Sequence, residues 1–495
     1  MQTMDNAILK YPKVSPSVSF VAVACMYGAI LLLSGVSYFS FHEFPLNSVI
    51  FRYDRWISLF SLVYFFGLMV FSFGSIRRYC FATPLVILTV PNAVNSYFPA
   101  IFLGPLTDMT NATFPFVTHI DVFLIYGLAN LTLSKIGSLT YYQERIAVFV
   151  VAMTAFYLLA VVATFFISGD ITRYLNNAFH IRYLALFYLL HSVFITRPNR
   201  EIFLKGIIIA MPVVLVESCV TSLLNGYSFY GSFSSGNFAN NVLGHLLALV
   251  TILLIFARNH EYSSTLFSDF VIFLVFIGML LSGVRGAYLS FVLCLLCTYV
   301  LTRWSFRNVV IFFAISTIFI LLTLSRFIDI DYWKDFIYAV TYIFENGFDA
   351  HAIKIDPTTT SIFTRVTLWI ATAKMYFDNP YFGVGFAEWN MIKAEYGVPF
   401  QMLLDPHNDY LFYLVSYGSV LGLGFFWFIY LKPIIYFIKK SSNRFVVNPY
   451  YYALFGFCFS GLTNANTSKH QVFALVLIIA FFAAFREKEE LTNIG

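Results

Sequence analysis

The chain has 495 residues, of which 59% are apolar, 20% are aromatic and only 11% are charged. A soluble domain carries about 25% charged residues. Folding alone cannot hide so many apolar side chains from water, so the lipid bilayer is the expected second solvent. The composition also excludes disordered and collagen-like chains. The net charge of +5 is spread thinly and forms no basic run, which gives no case for a nucleic-acid partner.

Apolar runs of a length that suits membrane spans follow one another along the chain. The first, at 18–39, lacks a small-residue cleavage site and is interpreted as an uncleaved helix. The others lie near 57–76, 80–103, 119–138, 146–168, 183–196, 206–224, 242–257, 266–282, 286–302, 308–325, 411–431, 447–463 and 470–485. They predict an all-α, polytopic helical membrane bundle of about 12–14 spans.

A long polar segment at 326–410 interrupts the series of apolar runs. It divides the chain into N-terminal spans (1–325), a large external loop (326–410) and C-terminal spans (411–495). With the N terminus placed in the cytoplasm, most of the 30 Lys and Arg residues fall in cytoplasmic loops. This distribution predicts that both termini are cytoplasmic and that the long loop is periplasmic.

A few basic residues oppose this trend on the outer side, and Arg285 is the sharpest case. It lies in S-G-V-R-G-A (282–287), which predicts a tight hairpin between two spans at the membrane surface. One interpretation is a snorkelling Arg that binds lipid phosphate or helix-end carbonyls. The other is an anion site at headgroup depth, because the Arg fork makes two charge-assisted hydrogen bonds to phosphate. The sequence alone leaves both open.

The long loop contains a helical stretch at 365–377, on which Arg365 and Trp369 lie four residues apart on one face. Asn379-Pro380 is expected to end that helix. Gly383 and Gly385 in N-P-Y-F-G-V-G-F predict a tight turn, and phosphate binding by this Gly-x-Gly is the weaker alternative.

His407, in D-P-H-N-D-Y-L (405–411), is the best candidate for chemistry. Asn408 or Asp409 is well suited to cap the helix that follows. A His at a helix N terminus lies in positive potential, which favours the neutral ring that a general base needs. The alternative is an ordinary interfacial His beside a capping residue.

Three further features carry weaker expectations. D-I-D (329–331) resembles the metal-binding acidic pair of nucleotide-sugar transferases, but no third ligand lies close in sequence, so a metal is not expected. Cys294 and Cys297 are interpreted as apolar fillers within a span. Glu217 is an intramembrane carboxylate, for which pairing with a neighbouring helix is favoured over a functional role.

The motifs together resemble the O-antigen ligase and O-unit polymerase superfamily of bacterial envelope glycosyltransferases. The resemblance rests on S-G-V-R-G-A (282–287), R-V-T-L-W (365–369), N-P-Y-F-G-V-G-F (379–386), P-H-N-D-Y-L-F-Y-L-V-S-Y-G-S-V-L-G (406–422) and G-S-F-S-S-G-N-F-A-N (231–240). It covers about 230–435, and the chain before it fits only as hydrophobic spans. The family often has Ser directly before the hairpin Arg, whereas Val284 stands there in this chain.

The resemblance implies a bundle of the GT-C kind in the bacterial inner membrane, acting in lipopolysaccharide or polysaccharide biosynthesis. It implies transfer of a glycan from undecaprenyl diphosphate to a sugar hydroxyl of a glycan or glycolipid acceptor, with no metal, nucleotide or other cofactor. His407 would lie near the acceptor hydroxyl, and Arg285 and Arg365 at the diphosphate. The expected substrate-binding residues are Trp369, Gly383, Gly385, Asn408 and Asp409. A chain-length regulator and a flippase are expected partners besides the bilayer.

The acceptor remains open at this stage. The H-N-D-Y-L pattern and the many Phe and Tyr residues resemble those of polymerases. Polymerisation of repeat units is therefore weakly favoured over ligation to lipid A core. A lipid-linked oligosaccharide transporter is the rival from another class. It predicts an internal repeat and charged groups near the midplane, and the sequence offers no repeat. A structural scaffold leaves the outer Arg residues unexplained.

Overall fold

A computed structural model describes residues 55–90, 118–133, 196–224, 238, 240–258, 260–302, 337, 341, 361–384, 389, 392–398, 406–440, 448–468 and 470–492. In these ranges the chain forms α-helices and short connections, with no β-strand. This confirms the all-α prediction for the described part. The expected first span at 18–39, the D-I-D motif and Gly385 lie outside it.

Twelve α-helices are described: α1 (Arg55–Ser72), α2 (Ile76–Thr89), α3 (His119–Leu133), α4 (Arg197–Leu224), α5 (Asn240–Ala257), α6 (Leu266–Ser282), α7 (Arg285–Thr302), α8 (Ser361–Asp378), α9 (Asp409–Phe426), α10 (Lys432–Lys440), α11 (Pro449–Gly461) and α12 (His470–Thr492). A π-helical stretch, Trp427–Leu431, joins α9 to α10. Short 3-10 helices occur at Lys393–Tyr396 and Asn466–Ser468.

One described segment, Arg197–Val220 in α4, is long and apolar enough to cross a membrane. Six further helices are apolar but shorter: Ser61–Ser72, Asn241–Ala257, Leu266–Ser282, Arg285–Thr298, Gly422–Ile438 and Gln471–Arg486. The number of spans, and with it the polytopic membrane bundle, stays a prediction.

The centre of the bundle is formed by α11 and α12. Nearly every side chain of Pro449–Gly461 is buried, as is the run from Gln471 to Phe485. α5 packs against α6, α7 and α11, and α2 packs against α4. Helices that are apolar on all sides are expected to lie inside such a bundle, whereas α6 keeps Phe267, Phe270 and Phe273 exposed on its outer face.

Four side chains form a cluster of ion pairs and hydrogen bonds at one end of the bundle. We call Arg200, Glu261, Tyr450 and Arg486 the ion-pair cluster. Glu261, between α5 and α6, lies 3.3 Å from the Arg200 Nε through Oε2 and 3.3 Å from the Arg486 Nε through Oε1. The Tyr450 hydroxyl donates to Glu261 Oε2 at 3.2 Å. The Arg200 and Glu261 side chains are both fully buried, so this cluster ties α4, α11 and α12 to the α5–α6 connection.

Gly418 breaks the helix that the sequence predicts as one span over 411–431. Its backbone takes φ 66° and ψ −171° inside α9. The Tyr410 ring contacts Phe426 and Tyr430, with centroids 5.4 and 4.7 Å apart. The part of α9 after Gly418 therefore folds back along the part before it, and the prediction of one continuous span at this place is wrong.

The described part of the long polar segment has its own small core. It contains residues of α8, of the turns after it and of the first arm of α9: Leu368, Ala371, Met375, Val384, Trp389, Val398 and Val415. The helix predicted at 365–377 is confirmed as α8, and it ends before Asn379-Pro380 as expected. Since Val415 belongs to this core, the helix that follows His407 packs against the polar segment.

Candidate functional site

The Arg285 hairpin forms as the sequence predicts. α6 ends at Ser282, and Gly283 takes a left-handed conformation with φ 66°, its N–H donating to Leu280 O. Arg285 is half-buried and is the first residue of α7. The Ser282 hydroxyl donates to Met279 O at 2.6 Å and accepts from the Val284 N–H at 3.3 Å. Ser282 therefore shapes the turn that presents Arg285.

The hairpin lies directly against the beginning of α5. A β-carbon added to Gly244 would come within 2.7 Å of the Val284 side chain. A β-carbon added to Gly286 would overlap Thr463 Oγ1 and come within 2.9 Å of His245 Cε1. Only glycine fits at these two contacts, so the backbone on both sides of Arg285 is seated on α5 and on the connection after α11.

A network of polar side chains lies beneath the hairpin. The Asn464 side-chain amide donates to Asn466 Oδ1, and the Asn466 amide donates to Ser460 Oγ, both at 2.8 Å. Ser460 Oγ lies 2.6 Å from His245 Nδ1, and Thr463 Oγ1 lies 3.4 Å from His245 Nε2. With Thr467, we call these six residues the polar platform; Thr463 is half-buried and the other five are buried.

His407 has the unusual backbone of the site. Its φ is 49°, which non-glycine residues adopt infrequently and at a cost in free energy. Hydrogen bonds fix both of its neighbours: the Trp369 indole N–H donates to Pro406 O at 3.0 Å, and the Asn408 amide donates to Leu462 O at 3.2 Å. The chain is therefore held in a conformation that presents the half-buried His407 ring.

Asn408 and Asp409 attach the start of α9 to the polar platform. Asn408 Oδ1 accepts from the Leu411 N–H at 3.1 Å, which confirms the predicted helix cap. Asp409 is fully buried, and its Oδ1 accepts from the Thr467 N–H at 3.0 Å and from the Thr467 hydroxyl. These contacts explain both residues as supports of the His407 segment; whether they also bind substrate stays a prediction.

α8 brings Arg365 and Trp369 to the same place. Trp369 reaches the residue before His407, as described, and Arg365 is half-buried one turn earlier. Arg365 and His407 both lie close enough to the His245 ring to interact with it electrostatically. The structure therefore gathers Arg365 and His407 around His245, on which the Arg285 hairpin is also seated.

The structure gives Gly383 a packing role. It has φ 71°, and a β-carbon there would come within 2.6 Å of the Gly418 nitrogen. The Val384 N–H and the Ser419 N–H donate to Val415 O and Pro380 O, both at 2.7 Å. The turn therefore packs tightly against α9 at Gly418, where that helix is interrupted. A role of Gly383 in substrate binding stays a prediction.

The remaining candidates lie in two of the apolar helices. Glu217 is half-buried in α4. Cys294 and Cys297 lie in α7 as free thiols. No group of three or more possible metal-ligating side chains occurs among the described residues. At the edge of the small core, the Tyr396 hydroxyl donates to Asp378 Oδ2 at 2.8 Å, and burial together with this contact raises the pKa of Tyr396 to about 12.

Sequence reasoning missed the polar platform. His245 is a lone His in an apolar helix, which is more often a core residue than a site residue. S-G-L-T-N-A-N-T-S (460–468) is a polar run between two apolar helices, and that run was the signal available in the sequence. Its meaning depends on the contact with the Arg285 hairpin, which only the fold reveals.

A comparison with protein families identifies the same part of the chain. A family model described as O-antigen ligase matches residues 270–426, from α6 to the end of α9. The match contains the Arg285 hairpin, α8 and His407, and it confirms the resemblance to the O-antigen ligase and O-unit polymerase superfamily. Members of this family are inner-membrane, glycosyltransferase-like enzymes. No curated protein matches the chain. His245 and the 460–468 run lie outside the matched residues.

Proposed function

We propose that this chain, whose residues 270–426 match the O-antigen ligase family, is a membrane glycosyltransferase of surface polysaccharide synthesis. It would move a glycan from undecaprenyl diphosphate to a sugar hydroxyl. We favour a hydroxyl on another lipid-linked repeat, so that the glycan is polymerised. The observation that carries the proposal is the gathering of Arg285, Arg365 and His407, which are far apart in sequence, around one buried polar platform.

Arg285 and Arg365 would bind the diphosphate. Cleavage of the glycosyl–phosphate bond develops negative charge on the leaving group, so cations fixed in advance lower the barrier. Arg285 begins a helix in a hairpin whose backbone packs closely on α5, so the main chain that carries its guanidinium is fixed in advance. Two parallel hydrogen bonds from each guanidinium suit phosphate oxygens.

His407 would take the proton from the attacking sugar hydroxyl. A base in this place is expected to contribute about 10²–10⁴-fold. Its left-handed backbone, held between the Trp369 and Asn408 hydrogen bonds, is the kind of strain found at functional positions. Since the diphosphate is a good leaving group, no metal is needed in this mechanism. The acceptor side of the site would be shaped by Asp409, Trp369, Gly383 and Gly385.

The bilayer would hold the donor by its lipid tail. In the topology that the basic residues predict, both termini are cytoplasmic and the site faces the periplasm. A flippase would deliver the donor to this face, and a chain-length regulator would act beside a polymerase. Ligation of finished polymer to lipid A core is the second candidate, because the matched family is described as O-antigen ligase.

The test is a gel of surface glycolipid from the native host with this gene deleted. A single repeat on lipopolysaccharide, with the ladder gone, is the expected result and indicates a polymerase. Bare core, with long polymer still on undecaprenyl diphosphate, indicates a ligase. An unchanged ladder contradicts a role in O-antigen synthesis and favours another surface polysaccharide or the transporter alternative.

Complementation with variants tests the mechanism. We expect His407→Ala, His407→Asn and Arg285→Ala to insert normally and to fail to restore the ladder. Asn tolerates the left-handed backbone, so its failure would point to the imidazole rather than to the chain conformation. Arg258→Ala is the matched control, since Arg258 lies exposed between α5 and α6 in an ion pair with Asp269, and it should restore the ladder. Near-normal function of either His407 variant would exclude a general-base role.

A further inference from the structure

We infer that His245 is a positioning residue for diphosphate binding, acting through Thr463 and the Arg285 hairpin, an inference that rests on the proposed function. His245 is not part of any sequence motif singled out above, and it lies outside the matched family segment. It nevertheless contacts both the Arg285 hairpin and the residues around the end of α11. Its ring lies under Gly286, is hydrogen-bonded to Ser460 in α11 and is near enough to Arg365 and His407 to interact with both electrostatically.

The hydrogen bonds around His245 assign its tautomer. Ser460 Oγ accepts from the Asn466 amide, and we assign its hydroxyl hydrogen to His245 Nδ1, which lies 2.6 Å away. A neutral imidazole that accepts at Nδ1 carries its hydrogen on Nε2. That hydrogen faces Thr463 Oγ1 at 3.4 Å. The Thr463 hydroxyl hydrogen is used by Ser460 O at 3.1 Å, which leaves its oxygen able to accept from His245.

The contact matters because Thr463 supports the residue next to Arg285. Gly286 has no β-carbon, and its Cα approaches Thr463 Oγ1 and His245 Cε1 closely enough that a methyl group would clash with both. The first turn of α7 therefore packs directly against the His245 and Thr463 side chains. A shift of the pair moves the Arg285 guanidinium, and misplacement of a binding group by about 1 Å can cost a large factor in affinity or rate.

The same connection also carries the His407 side. Leu462 O accepts from Asn408, and Thr467 donates to Asp409. The residues that follow Ser460 thus hold the two halves of the site at a fixed separation. The polar platform would set the distance between the cation that binds the diphosphate and the residue that receives the acceptor proton, although none of its side chains touches the reacting atoms.

Two substitutions of His245 separate the roles of its two nitrogens. In His245→Asn the short amide can still bond to Ser460, but it does not reach Thr463. In His245→Gln the longer amide can donate to Thr463 from the position of Nε2. Thr463→Val removes the acceptor from the other side of the same contact, and Thr463 is half-buried, so this variant tests the contact even if His245→Asn fails to fold. His119→Asn in α3 is the matched control, because His119 is also fully buried.

The experiment measures the dissociation constant of undecaprenyl diphosphate for the full chain in nanodiscs of phosphatidylethanolamine and phosphatidylglycerol, alongside the transfer rate. We expect His245→Asn and Thr463→Val to weaken binding about tenfold, the scale of one misplaced charge-assisted contact. His245→Gln should stay within about threefold of the wild type, and His119→Asn should match it per folded molecule. The acceptor KM should not change in any of these variants.

A double variant identifies the route of the effect. In an Arg285→Ala background, His245→Asn should weaken binding no further, because its effect passes through Arg285. An undiminished second loss, equal losses in His245→Asn and His119→Asn, or wild-type binding by His245→Asn and Thr463→Val would each overturn the inference alone. The proposed function and the inference would both be overturned if the wild type did not bind the lipid diphosphate. They would also be overturned if Arg285→Ala left its dissociation constant unchanged.

Discussion

The ion-pair cluster and the polar platform lie at opposite ends of the same helices. α11 runs from Tyr450 in the ion-pair cluster to Ser460 in the platform, and α5 runs from His245 in the platform toward Glu261. At about 1.5 Å rise per residue, each helix separates the two groups by roughly 15–25 Å. The ion-pair cluster consists mainly of charged side chains that pair with one another. The polar platform consists of neutral side chains, and Arg285 and Arg365 lie next to it.

The difference indicates what each end is for. A charge buried beside an opposite charge is satisfied, and the Arg200–Glu261 pair has no exposed side-chain surface left for a ligand. The side chains of the polar platform carry no formal charge and are joined by hydrogen bonds, and the buried Asp409 carboxylate accepts from Thr467 beside them. Arg285, Arg365 and His407 stand half-buried on the platform. Loss of a residue should therefore cost stability at the first end and activity at the second.

The largest expected effect is on stability at the ion-pair cluster. Glu261→Gln removes the charge that faces Arg200 and Arg486 while keeping the side-chain shape. Because Arg200 is fully buried, breaking this pair is expected to lower the free energy of unfolding by about 3–5 kcal/mol. Thermal unfolding in detergent measures the change, and transfer per folded molecule should be retained.

Asp269→Asn is the matched control for this variant. Its partner Arg258 lies 2.7 Å away, but the two side chains are 46% and 35% exposed, so the loss should stay under about 1 kcal/mol. Equal losses in Glu261→Gln and Asp269→Asn would mean that burial does not distinguish the two ion pairs, and the first half of the comparison would fail.

The second effect tests the close packing at the platform. Gly286→Ala inserts a methyl group between α7 and the His245–Thr463 pair, so either the hairpin or the pair must move. We expect transfer to fall about tenfold or more, since the guanidinium of Arg285 is displaced while every charge remains. A rate assay with purified protein and lipid-linked donor checks this.

Gly67→Ala is the control for Gly286→Ala. Gly67 lies inside α1 with nothing within 4 Å of an added β-carbon, and alanine favours a helix interior by roughly 0.5–1 kcal/mol. It should leave transfer unchanged. If Gly286→Ala were equally silent, the hairpin would not depend on the platform for its position.

Local signals in the sequence were enough to predict much of the site. The tight hairpin at Arg285, the helix carrying Arg365 and Trp369, its end before Asn379-Pro380 and the cap at Asn408 each follow from a few neighbouring residues. Helix propensity, turn glycines and helix caps depend on residues within one or two helical turns, so the sequence alone contains the information needed to predict them.

The features that were missed depend on distant contacts. The apolar run over 411–431 gives no sign that Gly418 turns the chain back, because a glycine in such a run is compatible with a straight helix. The turn occurs where the Gly383 segment presses against it. In the same way, the role of His245 follows from residues that lie more than 200 positions later in the chain. Hydrophobic periodicity does not carry such information.

The smallest expected effect concerns the strained backbone of His407. Trp369→Phe keeps the ring packing but removes the indole N–H that donates to Pro406 O. A hydrogen bond of this kind contributes about 1 kcal/mol, and losing it should let the left-handed conformation at His407 relax, which lowers kcat about fivefold.

Trp389→Phe separates this effect from a general weakening of the polar segment. The Trp389 indole lies in the small core and donates its N–H to Thr372 Oγ1 at 3.1 Å rather than to Pro406. Both variants should lower the unfolding temperature by a similar amount, and only Trp369→Phe should lower kcat. If Trp389→Phe lowers kcat as much, then the stability of the polar segment as a whole controls transfer, and the hydrogen bond to Pro406 has no special part in presenting His407. A loss confined to Trp369→Phe would mean that the bond to Pro406, together with the Asn408 bond on the other side, holds His407 in the conformation that transfer needs.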